Sequence, residues 1–523
     1  MVPVTSTGTN VHESPPTAGR SRRLAVLAVM CVALIAVVGM LVSLAVALPG
    51  LARDLGATEA QLQWVMNAYG VAFAGLLLPC GALGDRYGRK GALLIGLVIF
   101  AVATAAALWV DGTGALIAWR AAAGAGAALI MPMTLSVITD VFPPEERGRA
   151  VGVWSGVFGG GGLVGILVAG GLLEAYSWRS LFVFNALLAV AAVAATALVV
   201  PTSRDPHASP LDIPGAVLSV AGVASLVFAI VEGPERGWTD PLVAAGFGAS
   251  AAALAAFVLW ESRTARPLLD LRIFRLPGVS AGSLVIVIES MAAFGVFFLL
   301  LQYMQEILGY SAFRAGLGLL PLAAAMIIFS PSAPGLGHRF GLRAVIGLGM
   351  ALIAGGLAVL SLIDAGSGFW PVLAGGALMG AGVAYAATPA TDAILASLPA
   401  AKQGVAAALN DITRELGAVL GIAILGSVFN SSYRGDAGQA ARSLPDPVAE
   451  VVRDSLAGAL EVAARIGGEP GARLADAARD AFAAGMSNAL LAGVALVAVG
   501  GVVAVMILPG RSREPATDYD VSS

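Results

Sequence analysis

Gly81-Ala-Leu-Gly-Asp-Arg-Tyr-Gly-Arg-Lys90 is a charged decapeptide set between two long apolar runs. Pro334-Gly-Leu-Gly-His-Arg-Phe-Gly-Leu-Arg343 repeats its skeleton in the same setting. Position by position, Leu, Gly, Arg and Gly coincide, Tyr87 becomes Phe340 and Lys90 becomes Arg343. One short charged turn, used twice between hydrophobic runs, implies two related membrane-embedded halves.

The rest of the chain fits that reading. Of its 523 residues 58% are hydrophobic and 12% charged, about half the charged fraction of a soluble domain. Mean hydropathy is +0.86. Apolar runs of about 20 residues recur from Leu24 to Leu508, each long enough to cross a hydrocarbon core of about 30 Å as a helix. The short alternating segments of a membrane β-barrel are missing from the sequence. The fold class is therefore all-α integral membrane. A net charge of −3 says little about such a chain. Cys31 and Cys80 both sit inside apolar runs, so neither a disulfide nor a metal site is expected. The first run is too long for a signal-peptide core and is read as a retained first helix.

Breaking the runs at charged, Pro-rich and Gly-rich turns predicts fourteen spans: 25–48, 61–80, 91–109, 115–138, 150–173, 181–200, 213–231, 242–260, 278–301, 315–333, 344–363, 371–395, 405–430 and 486–508. The basic residues test the count. One face collects Arg20, Arg22, Arg23, Arg86, Arg89, Lys90, Arg147, Arg149, Arg204, Arg263, Arg266, Arg272, Arg275, Arg339, Arg343, Lys402, Arg511 and Arg513. Short connections on the other face hold only Arg53, Arg179, Arg236 and Arg314. Positive charge is retained on the cytoplasmic side, so both termini are expected there. A different parity of spans would scramble the pattern.

The decapeptides open the third and eleventh spans. This divides the chain into a tail 1–23, a six-helix half 24–200, two inserted helices with their linker 201–276, a second six-helix half 277–508 and a tail 509–523. Within the second half, 431–484 is the one long polar stretch. Val448, Val451, Val452, Leu456 and Leu460 recur there at helical spacing, and Gly467-Gly468 and Pro470-Gly471 then break the pattern before a second Ala-rich helix. The reading is an external amphipathic hairpin, packed on the outer mouth or standing free as a solvated pair.

Several motifs in order resemble the major facilitator superfamily, specifically its fourteen-span drug:proton antiporter branch. They are Gly81 to Lys90, Gln63-Trp-Val-Met-Asn-Ala-Tyr69, Ala118-Trp-Arg-Ala-Ala-Ala-Gly-Ala-Gly-Ala127, the glycine run from Gly156 to Gly171, Ser177-Trp-Arg-Ser-Leu-Phe-Val-Phe-Asn185, Gln302 to Gly309, Leu320-Pro321, and Asn410-Asp-Ile-Thr-Arg-Glu-Leu-Gly417. There are departures. The resemblance implies an acid and an asparagine in the first span where Met40 and Ala45 stand, and Gly-Pro where Gly165-Ile166 stands.

An ionisable side chain inside a bilayer costs about 2.5–3.5 kcal/mol on insertion scales, so each is a functional candidate. Glu289 sits mid-span and is the first candidate for proton coupling or cation recognition. Asp392 lies near the inner end of the twelfth span, able to join the neighbouring cluster or bind a cation. Arg120 stands alone on an apolar span and needs a carboxylate or carbonyl partner; by resemblance it tunes the proton-binding acid. Asp411, Arg414 and Glu415 fall on one helical face, where Arg414 can pair with Asp411 and Glu415 can share the network.

Gly81, Gly84, Asp85, Arg86, Gly88, Arg89, Lys90 and Arg339 form the expected cytoplasmic gate loops, with Asp85 capping a neighbouring helix or pairing with arginines across the halves. His338 replaces that acid in the second copy, so the latch is expected to be asymmetric. Gly156, Gly161, Gly165, Gly170 and Gly171 would let a neighbouring backbone approach closely, in a sliding or a static interface. Phe73, Met291, Phe294, Phe297, Phe298 and Tyr385 are candidate cavity lining.

The sequence has no P-loop and no catalytic constellation. The resemblance implies a non-enzymatic, cofactor-free, monomeric exporter of the cell membrane that binds no nucleic acid. Its partners would be small amphipathic, often cationic drugs or antibiotics, protons and the lipid bilayer, with the proton gradient as driving force. A dedicated self-resistance exporter of one natural product and a non-transporting membrane sensor or assembly factor on the same fold remain alternatives.

Overall fold

The computed structural model describes residues 19–57, 59–202, 211–364, 366–399 and 402–508. The expected tails lie mostly outside these residues, as do Arg204, Arg511 and Arg513. The first half contains α1 (Arg20–Leu55), α2 (Glu59–Tyr87), α3 (Arg89–Ala106), α4 (Thr113–Val141), α5 (Pro144–Ala175) and α6 (Arg179–Val199). Then come α7 (Ile213–Arg236) and α8 (Pro241–Glu261). The second half contains α9 (Pro277–Gln302), α10 (Ala312–Gly318), α11 (Leu320–Phe329), α12 (Ala333–Phe340), α13 (Leu342–Leu360), α14 (Trp370–Ala396), α15 (Gln403–Ala440), α16 (Asp446–Asp454), α17 (Leu456–Ile466) and α18 (Gly468–Ile507). Among the described residues fourteen crossings are long and apolar enough to span a membrane, α10 to α12 counting as one interrupted crossing. No strand occurs among them. This is the all-α architecture that the hydropathy pattern predicts.

The two decapeptides fold alike. Gly88 and Gly341 each take a positive φ, 107° and 90°, which breaks the helix and turns the chain. Beside them Arg86 lies over the Tyr87 ring and Arg339 over the Phe340 ring, both at 5.1 Å from the ring centre. Each motif closes on a basic residue that reaches the end of its own half. Lys90 Nζ donates to the Ala197 carbonyl at 2.8 Å, in the last turn of α6. Arg343 donates to the Leu508 carbonyl at the end of α18. A cation there satisfies carbonyls that the helix leaves free. The face that holds these motifs is the arginine-rich face.

The inserted pair is peripheral. α8 exposes Leu242, Val258, Leu259 and Trp260, as a helix facing lipid does. α7 touches both halves. Its Val223 and Val227 pack with Ala74 of α2, against Leu416 and Val419 of α15, and Phe228 stacks on Trp64 at 5.7 Å.

The polar stretch after α15 differs from its reading. Ser455 splits the predicted helix into α16 and α17, its Oγ accepting from the Gly458 amide at 3.0 Å. The second Ala-rich helix is no separate element. Pro470 lies in the first turn of α18, where it displaces no helical hydrogen bond, and the helix runs on unbroken through the last crossing. The hairpin packs on the ends of α15 and α18 that lie away from the arginine-rich face: the Tyr433 hydroxyl donates to the Val452 carbonyl at 3.0 Å, and Arg434 pairs with Glu450 and Asp454, both at 2.6 Å.

α5 is wedged between the halves, and its glycines set the spacing. A Cβ on Gly165 would lie 2.6 Å from the Gly39 carbonyl oxygen of α1, and one on Gly161 in ordinary contact with Val38. On the other side, Gly156 backs onto Ile327 of α11 at 3.1 Å and Gly170 onto Phe313 of α10 at 2.8 Å. Gly171 differs: a Cβ there meets nothing within 4 Å. The Gly165→Ala variant is therefore expected to lose about 1–3 kcal/mol through overpacking, read as a lower melting temperature in detergent. Gly171→Ala should melt with the wild type. Equal melting of all three would contradict the α1–α5 contact.

Candidate functional site

Two polar assemblies bridge the helices, one inside the bundle and one at the arginine-rich face. The interior one begins with how closely α15 approaches α9. A Cβ on Gly417 would lie 2.4 Å from the Val287 carbonyl oxygen, and one on Gly421 would lie 2.1 Å from that of Met291. Glycine at both positions is what permits the approach. It brings Arg414 Nη1 to 2.8 Å from Glu289 Oε1, with the residues 4% and 1% exposed. Ser290 Oγ donates to the same carboxylate oxygen at 3.0 Å. The Arg414 guanidinium also lies 4.6 Å from the ring centre of Phe158 on α5, so it touches the other half.

The pairing corrects the sequence reading. Arg414 does not pair with Asp411, its neighbour on the same helix. Asp411 instead accepts from Asn410 Nδ2 at 3.1 Å, and Asn410 accepts from Thr391 Oγ1 of α14 at 2.9 Å. Asp411 Oδ2 and Arg414 Nε and Nη2 are buried without a partner among the described residues. Glu415 makes no hydrogen bond or ion pair to this network among the described residues. It points across the half-to-half boundary to α2, its Oε1 3.8 Å from where a Cβ on Gly70 would stand. The physical reason is packing: the close approach of α15 to α9 puts Glu289 directly before Arg414, while Asp411 is engaged by Asn410 beside it.

Arg120 is 1% exposed. Its partner is a carbonyl: Nε donates to Val65 O of α2 at 3.0 Å. Its guanidinium covers the Tyr69 ring at 4.5 Å, and the Tyr69 hydroxyl donates to Val37 O of α1 at 3.2 Å. Arg120 thus ties α4 to α2, and Tyr69 carries the tie to α1.

The proposed lining residues divide. Phe73 is buried and stacks on Tyr69 at 6.1 Å, so it is core. Met291 is likewise buried, its backbone against Gly421. Phe294, Phe297 and Phe298 are half-buried on α9. Tyr385 is half-buried against Phe329 at 5.8 Å.

At the arginine-rich face Asp85 reaches across the boundary. Its carboxylate accepts from the amides of Gly404 at 2.9 Å and Val405 at 3.1 Å. These are first-turn amides of α15, which has no side-chain cap of its own. The approach requires Gly81 and Gly404, since a Cβ on either would lie 2.4 Å from the other's carbonyl oxygen. Arg89 supports the carboxylate at 3.4 Å and holds Asp140 of α4 at 3.1 Å. Asp392 does not join the α15 cluster; its basic neighbours are Arg147 and His338, at this same face.

Asp140, Thr391 and Ser290 are participants that the sequence reading does not name, and Tyr69 and Asn410 are ones it names only as the ends of motifs. Ser290 adjoins Glu289 in the chain, and that adjacency is its one signal. Nothing local marks Asp140 as a partner of Arg89.

Two related six-crossing halves, with one buried ion pair in the second resting against the first and a charged lock at one end, define a polytopic membrane protein of the secondary-transporter class, not an enzyme. The family model of the Major Facilitator Superfamily matches residues 27–422, and the chain belongs to that superfamily. It is 32% identical over 486 residues to the tetracenomycin C resistance and export protein of Streptomyces glaucescens, covering 90% of this chain and 88% of that one. It is also 32% identical over 464 residues to the multidrug efflux pump LfrA of Mycolicibacterium smegmatis, covering 88% of this chain and 92% of the other. Among solved structures, an inward-facing bacterial homologue of the human lysosomal transporter Spinster shares the fold, with a TM-score of 0.58 at 17% identity over 94% of this chain and 98% of its own.

Replacing Asp85 by Asn removes the charge from two amide bonds. At about 2 kcal/mol for that loss, the locked fraction should fall about 30-fold against the unlocked one. Spin labels at the exposed Tyr87 and Lys402 read this as a new, longer distance population. An unchanged distribution would refute the lock.

Proposed function

We propose that this chain is a proton-coupled exporter of amphipathic, often cationic drugs or antibiotics, working by alternating access in the cell membrane with both termini cytoplasmic. The observation that carries the reading is the buried pair of Glu289 and Arg414, set where the second half meets α5 of the first. The export and efflux proteins to which the chain is similar support the substrate class. The concentration of Lys and Arg on one face supports the orientation, which makes the Asp85 lock cytoplasmic and the described state closed to the inside.

Coupling then follows from charge balance. With Glu289 ionised, Arg414 is neutralised and α9 is held to α15. A proton arriving on Glu289 cancels that attraction. The guanidinium is then left with Asp411, one turn away, whose free oxygen accepts it. The change loosens α9 from α15 and leaves the cluster one positive charge higher, which disfavours a cationic drug. Deprotonation towards the cytoplasm restores the carboxylate, which favours a cationic drug; release of the drug outward favours reprotonation.

A second reading, export of one natural product, has the tetracenomycin exporter in its favour. A panel of unrelated dyes and antibiotics distinguishes the two. In vesicles with an imposed pH gradient, Glu289→Gln should abolish proton-driven efflux, since a glutamine cannot carry the exchanged proton. Undiminished proton-driven efflux in E289Q would refute the assignment.

A further inference from the structure

The duplication places a second seam opposite the first. Gly81 corresponds to Pro334, Gly84 to Gly337 and Asp85 to His338. In the first seam Gly81 of α2 touches Gly404 of α15; in the second Pro334 of α12 touches Gly148 of α5, a Cβ on Gly148 standing 3.0 Å from the Pro334 Cβ. Equivalent positions of the two motifs thus meet the opposite half, through backbone in the first seam and through the proline ring in the second. The chemistry is different. His338 stands where the acid should be, and Gly148 lies inside α5, which begins at Pro144. Its amide is consumed within the helix, so no free amide awaits a carboxylate.

A carboxylate is nevertheless present. Asp392, from α14, has its Oδ2 3.9 Å from the Cβ position of Gly148. The basic side chains nearest to it are Arg147 of α5 and His338 of α12. Arg147 Nε is buried and has no partner among the described residues. Asp392 makes no ion pair within 4.0 Å among them either. The remaining charges near this seam are Glu145, Glu146 and Arg149 on α5 and Arg339 and Arg343 beyond His338. Of these, Glu146 is taken up by Arg23 at 3.4 Å, and Arg343 by the end of α18.

We propose that Asp392 supplies, from a different helix, the acid that the second decapeptide lacks, and that it closes the α5–α12 seam by attracting Arg147 across the half-to-half boundary. Asp392 and Arg147 are thus positioning residues for the gate. The two latches are unequal. Asp85 holds two amides at 2.9 and 3.1 Å, whereas Asp392 attracts its partners from beyond direct contact. The α5–α12 seam is therefore the one that yields first when this face opens.

The test uses the full-length chain in lipid nanodiscs with spin labels at Glu145 and Gly335. Gly335 is exposed, and a Cβ there meets nothing within 4 Å. A second pair at Tyr87 and Lys402 reports the first seam. Asp392→Asn should raise the separated population of the α5–α12 pair about fivefold, as loss of about 1 kcal/mol does, and leave the α2–α15 pair unchanged. Adding His338→Asp to the D392N background returns the acid to its place in the motif, and the short distance should return with it. That rescue separates an electrostatic latch from a merely damaged fold. An unchanged α5–α12 distance in D392N would overturn the proposal. So would equal widening of both seams, or failure of the double variant to recover. None of these outcomes bears on drug export, which the vesicle assay reads separately.

Discussion

A charge removed from water into a bilayer must meet its opposite, and the interior of this protein is arranged around one such meeting. Neither Glu289 nor Arg414 is tolerable alone where it stands; removing one partner from a buried pair costs about 3–5 kcal/mol. The pair therefore dictates how close α9 and α15 must come, and Gly417 and Gly421 are the positions that allow it. It also dictates what α5 presents, since the guanidinium that is not spent on Glu289 rests against Phe158. A group that must be paired in every state, and whose partner can lose its charge by taking a proton, is suited to linking proton movement to helix movement.

The ends of the helices pose a related problem in a milder form. Free amides at the start of α15 are answered by Asp85 from the opposite half, so the capping of one helix becomes the closure of two domains. Free carbonyls at the ends of α6 and α18 are answered by Lys90 and Arg343 within their own halves. Capping inside a half makes it rigid, and capping between halves makes it lockable. The same decapeptide does both in its first copy. In its second copy only the rigid function keeps its residue type.

Much of this was legible in the sequence because it depends on local rules. Span length, the retention of Lys and Arg on one face and the doubled charged turn each follow from physics that acts over a few residues. The fourteen crossings could be counted for that reason. Arg414 could not be assigned its partner, because helical spacing brings Asp411 into reach while Glu289 becomes a neighbour only through tertiary packing. Asp140 stayed hidden for the same reason. Pro470 misled in the opposite direction: it reads as a breaker, but a proline in a first helical turn breaks nothing. Phe73 reads as lining because aromatic residues look alike on an apolar span, and its stacking on Tyr69 is what consumes it.

The central claim is that Glu289 gives up the proton that transport exchanges. It is tested most directly by measuring proton release when a quaternary ammonium dye such as ethidium binds to purified protein in weakly buffered detergent solution, with a pH indicator as readout. Wild-type protein should release protons on binding, and Glu289→Gln, which offers no carboxylate to the cation, should bind the dye more weakly and release no protons at dye concentrations that saturate it. Undiminished release from the Glu289→Gln variant would contradict the account and move the exchanging proton to another group.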